Sequence, residues 1–238
     1  MQEGTQFENT LAESTGLDQE VTLNSQFSST KDKLTTPRAA AAAGILFSVL
    51  MIVSLILIWI SIPPNPQDET GWLPESWDTI SLALTLIPFA GIAFLWFIGV
   101  VRDQLGQSED KFFATAFFGS GLLLLAMWFV SAGVAGGTIS LYGAAEGQMI
   151  DPGLYNFGRS VTFTIINLYA LKMAGVFTLT TCTLSMRSRI LPRWMIILGF
   201  VLALLLLLNF GISDYIAIIF PLWILVISIE ILITNLKR

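Results

Sequence analysis

Histidine is absent from the 238 residues, and cysteine occurs once, at Cys182. The first absence removes imidazole catalysis, His-ligated haem and His-bound zinc. The second removes intrachain disulfides and zinc clusters built on several thiolates. Charge is also scarce: charged residues make up 12% of the chain and hydrophobic ones 54%, about half the charged share of a soluble domain. With a mean hydropathy of +0.74, this composition excludes an ordinary soluble fold. The formal net charge of -5 leaves no basic surface for a phosphate backbone, so nucleic acid is excluded as a partner.

What is present is a set of long apolar runs. A helix needs about 20 residues to cross a hydrocarbon layer of about 30 Å. Six runs are long enough to do so: Ala39–Ile62, Ile80–Val101, Phe112–Leu141, Val161–Met186, Trp194–Phe210 and Tyr215–Ile233. Each is expected to be a helix, because lipid offers no partner to backbone N–H and C=O groups. Gly211 to Asp214 mark a turn between the last two runs, whose combined length is about twice what one crossing needs.

Lys and Arg in short loops resist translocation. Ten of the twelve basic residues fall on one side of this threading: Lys31, Lys33, Arg38, Arg102, Lys111, Arg187, Arg189, Arg193, Lys237 and Arg238. The opposite links, Pro63–Thr79, Tyr142–Gly158 and Gly211–Asp214, contain no Lys or Arg below Arg159. Both termini are therefore expected in the cytoplasm. Residues 1–37 are rich in Gln, Ser, Thr and Glu and lack a signal-peptide core, so they read as a disordered polar tail ahead of a membrane domain over 38–238.

Several local features carry expectations. Ser108, with Glu109 and Asp110 after it, reads as a capped helix start, and Gly106 as the stop of the helix before. Gly133 and Gly137 on the third run have the spacing of a small-residue packing face. Pro88 and Pro221 lie inside the second and sixth runs and predict bends. Pro63, Pro64, Pro66 and Pro74, with Trp72 and Trp77, predict an irregular link along the headgroup layer. Gly119-Ser-Gly121 is not a rhomboid-type protease motif, since Phe118 stands where the first glycine belongs and no histidine can act as base.

The candidate polar site lies on the fourth and sixth runs. Lys172 is about 20 Å from either end of its helix, too deep for its stem to reach water. A charge at such depth costs about 2.5–3.5 kcal/mol, so a partner or a wet cavity is expected. Glu230 is a candidate partner, and Asn167 and Tyr169 stand close by in sequence to Lys172. Thr162, Thr164, Thr178, Thr180, Thr181 and Thr183 add to the polarity of the fourth run. The four residues Lys172, Glu230, Asn167 and Tyr169 either line a path for a small polar solute or ion, or Lys172 and Glu230 form a structural pair that locks two helices.

The segments Phe94–Gly106 and Glu109–Leu122 resemble uncharacterised bacterial multi-span membrane proteins, and Arg187–Met195 is similar to arginine-rich turns in other bacterial membrane families of unknown function. The resemblance implies a bacterial inner-membrane protein and carries no active residue. The sequence thus predicts an all-α, polytopic six-helix bundle, with both ends inside, no metal or cofactor, and no nucleophile–base constellation that would make it an enzyme. Its partners are the bilayer and either further copies of itself or another membrane protein. The functional expectation is transport or permeation; the alternative is a non-catalytic accessory or scaffold subunit.

Overall fold

The computed structural model describes residues 38–61, 73–105, 111–144, 152–188, 191–209 and 214–236. All secondary structure in them is helical. In chain order the elements are α1 (Arg38–Ser61), α2 (Leu73–Leu105), α3 (Lys111–Ala144), α4 (Pro152–Thr164), a π-helical segment (Ile165–Ala170), α5 (Leu171–Ser188), α6 (Arg193–Leu208), a 3-10 turn (Asp214–Ile218) and α7 (Ile219–Leu236). α4, the π segment and α5 run on without a break as the fourth span.

Among the described residues, five helices are long and apolar enough to cross a membrane, and the chain is a multi-pass membrane protein. The sixth apolar helix, α6, has only 16 residues. It reaches about 24 Å, short of the ~30 Å hydrocarbon layer. Several helices also outrun their apolar runs. α2 begins at Leu73 rather than Ile80 and takes Trp77 and Asp78 into the helix, and the fourth span begins at Pro152 rather than Val161. Hydropathy marks only the stretch that lipid must bury, whereas a helix can continue into the headgroups where water serves its backbone. The links expected over 63–79 and 142–158 are correspondingly shorter. The tail, Ser108 with its neighbours, and the turn at Gly211 lie outside the described residues.

The contacts order the helices as alternating hairpins. Ser54 Oγ donates to Ala83 O at 2.7 Å, and Gly44, earlier on α1, faces Phe97, later on α2, so the two run antiparallel. Gly121 faces Ile98 on α2 while Gly136 faces Leu84, which makes α3 antiparallel to α2. The fourth span opposes α3, since Phe177 lies against Gly121 and Thr162 O accepts from Ser131 Oγ at 3.4 Å. α6 returns along α5, with Gly199 against Cys182 and Leu207 against Gly175. α7 closes the set against α1: Ser228 meets Gly44 near one end, and at the other Tyr215, just ahead of α7, meets the Trp59 ring at 4.9 Å.

Aromatic rings fill the centre. Phe47 (α1), Phe94 and Phe97 (α2), Phe117 and Trp128 (α3), Phe177 (α5) and Phe220 (α7) are all buried. Phe94 alone lies 4.7–6.3 Å, centroid to centroid, from Phe47, Phe97, Trp128, Phe177 and Phe220. Lipid tails are as apolar as these rings, so the gain is dispersion and ring geometry at close packing rather than escape from water. The outward faces are apolar too, with Leu46, Val49, Val53 and Ile60 exposed on α1. Arginines collect at the end where α1 and α6 begin and α2 and α5 finish; there Arg102 lies over the Phe118 ring at 4.8 Å and Arg187 over Phe113 at 5.2 Å.

Candidate functional site

Lys172 is the second residue of α5 and sits directly after the π segment. It is half-buried. It lies about 22 Å along the helix from Arg187, nearer the far face of the bundle than the arginine-rich end. Its ammonium reaches the end of α6. Nζ donates to Leu207 O at 2.5 Å, to Asn209 O, and over 3.5 Å to Leu206 O.

The physical reason lies in how α6 stops. The last four carbonyls of a helix have no intrahelical donor and carry the negative end of its dipole. A left-handed residue after the helix often turns the chain back to satisfy them, but Asn209 is extended, with φ -69 and ψ 116. A cationic donor from the neighbouring helix is a favourable partner for carbonyls left in this way. Gly175, one turn beyond Lys172, allows the approach: a Cβ there would stand 2.7 Å from Leu207 Cγ and 3.2 Å from Ala203 O.

The other three candidates are placed differently. Asn167 is half-buried within the π segment. Tyr169 points outward and is 54% exposed. Glu230 is half-buried on α7. It is about 16 Å along α7 from its start at Ile219, towards the arginine-rich end. Lys172, by contrast, is held at the opposite end of α6. The geometry thus draws Lys172 to backbone oxygens and sets Glu230 at another depth.

The π segment is the second local departure. The Leu171 N–H donates to Ile166 O, an i→i+5 bond in place of i→i+4. Such segments carry one residue more per turn than an α-helix and recur at functional positions. Here the segment joins α4, packed on α3 through Gly158 and Thr138, to α5, packed on α3 through Phe177 and on α6 through Gly175.

The threonines of the fourth span do not define a polar interior. Thr162, Thr180, Thr181 and Thr183 each donate to a carbonyl one turn back, at 2.7–2.9 Å. Thr178 is the exception, buried with no partner for its hydroxyl. On α3 the small-residue face divides. Gly121 packs tightly, with Ile98 Cδ1 2.6 Å and Phe177 Cε2 3.1 Å from where its Cβ would be. Gly133 and Gly137 would have nothing within 4 Å and face outward.

Sequence reasoning missed the acceptors. Backbone carbonyls belong to every residue, so no side chain announces them. The signal that could have found them is the Trp194–Phe210 run, the shortest of the six. Among the described residues, no three His, Cys, Asp or Glu side chains form a group that could hold a metal. No protein-family model, curated protein or solved structure matches the chain.

Proposed function

We propose that this chain is a non-catalytic accessory or scaffold protein of a bacterial cytoplasmic membrane, threaded six times with both termini in the cytoplasm, and that it serves by holding other membrane helices. The observation that carries this reading is how the intramembrane cation is used. An ammonium has three N–H donors, and three carbonyl oxygens at the end of α6 stand within reach of it. The charge joins α5 to the end of α6.

Two further features support the reading. Rings from α1, α2, α3, α5 and α7 fill the middle of the bundle, where a solute path would run. The Gly133–Gly137 face of α3 is open, and small residues are where helices approach closely in lipid. A helix of a partner protein or of a second copy suits that face. The basic residues at one end of the bundle support the orientation.

Transport of a small polar solute or ion is the second reading. It draws on the π segment beside Asn167 and on a short helix ending within the layer, both features of transporter sites. Under it, Lys172, Asn167, Tyr169 and Glu230 would be the site. The test pairs two measurements. A photoreactive residue at Gly133 or Gly137 in native membranes is expected to give a discrete cross-linked adduct, and vesicles carrying the purified protein are expected to be no more permeable to small ions than protein-free ones. A flux that disappears in Lys172→Met would overturn the scaffold reading in favour of transport.

A further inference from the structure

The end of α6 is built as a cation site. Leu206, Leu207 and Asn209 turn three carbonyl oxygens towards one point, and the helix dipole adds its negative end there. Convergent carbonyls and the C-terminal ends of interrupted helices are the groups that coordinate alkali cations inside membranes. The position is filled by a charge that belongs to the protein, carried on α5 and admitted by the close approach at Gly175. An ammonium is a compact monovalent cation, equal in charge to sodium or potassium.

The geometry points to a monovalent alkali-cation site at the C-terminus of α6, formed by the carbonyls of Leu206, Leu207 and Asn209 and occupied by the Lys172 ammonium in place of a free ion. The inference goes beyond the scaffold reading and does not depend on it. It explains how a helix that stops short can do so without drawing an ion from solution. It also predicts that truncating Lys172 transfers the position to sodium or potassium.

The test uses the full-length protein purified in detergent and melted at equal ionic strength in sodium, potassium or N-methylglucamine chloride. Wild type is expected to melt at the same temperature in all three. Lys172→Ala, which empties the position, is expected to melt about 5 °C higher in sodium or potassium than in the bulky organic cation, because an ion that binds only the folded state stabilises it. Lys172→Gln, whose carboxamide N–H reaches towards the same oxygens, is expected to melt below wild type with no preference among the salts. The inference is overturned if Lys172→Ala melts identically in all three salts or is recovered folded in none. It is also overturned if Lys172→Gln shows the same ion preference as Lys172→Ala, which would place the ion elsewhere.

Discussion

Gly44 and Ser228 meet where α1 crosses α7, and the contact leaves no room for a methyl group. A Cβ at Gly44 would overlap Ser228 Oγ and stand 2.8 Å from Phe97 Cδ2. Gly44→Ala is expected to destabilise by about 1–3 kcal/mol through overpacking. Ser228→Ala alone is expected to be neutral or slightly stabilising, because its buried hydroxyl has no partner. Combined with Gly44→Ala it should recover part of the loss, so a double-mutant cycle read by thermal melting should give a coupling clearly different from zero. At the aromatic centre, Phe94→Ala removes the ring that touches five others and is expected to cost about 3–5 kcal/mol. A change under 1 kcal/mol in the same measurement would mean that the rings do not form one packed unit. Lys172 was legible as a residue needing a partner, because an isolated charge in lipid is costly whatever the fold. Which partner it takes was not legible. Glu230 answers it by charge, but the carbonyls that receive the ammonium come from backbone 34 to 37 positions away.

Among the elements, the fourth span shows what apolar content leaves unspecified. The stretch Ile165–Ala170 has no proline or glycine and nothing else that marks a change of helix type. It winds as a π-helix between α4, which packs on α3, and α5, which packs on both α3 and α6. Deleting Leu168, an exposed residue of that segment, should regularise the winding and turn Thr162 and Gly158 away from Ser131 and Thr138. The deletion is expected to lower the melting temperature much more than Leu168→Ala, and equal effects would show that the extra residue has no role in helix orientation. The two prolines sit differently in their helices. Pro88 lies well inside α2. Pro221, by contrast, falls in the first turn of α7, directly after the 3-10 turn, where the changeover of winding reduces the cost of the missing N–H.

At the scale of the whole molecule, the orientation can be tested with the chain's own chemistry. Cys182 is fully buried, so it contributes little background to labelling with a membrane-impermeant thiol reagent. In intact cells, Gln67→Cys and a cysteine at Ser213 are expected to react from outside, and Ser108→Cys and Ser188→Cys are expected to stay unreactive until the membrane is opened. Reaction at Ser213 also tests whether α6, despite its 16 residues, carries the chain to the far side. Protection at that position would leave five crossings and reverse the C-terminus.

Membrane residence, helical structure and the approximate limits of most spans followed from the sequence alone, because lipid cannot satisfy a backbone and so enforces local hydrogen bonding on any sufficiently apolar run. That constraint acts within a single segment, so one-dimensional information suffices for it. The open Gly133–Gly137 face, the outward Tyr169, the π winding and the union of Lys172 with the end of α6 were decided by tertiary structure. Each depends on which helix lies beside which and at what height, and in lipid that choice is made by close packing and by the satisfaction of stray polar groups, neither of which a hydropathy pattern encodes.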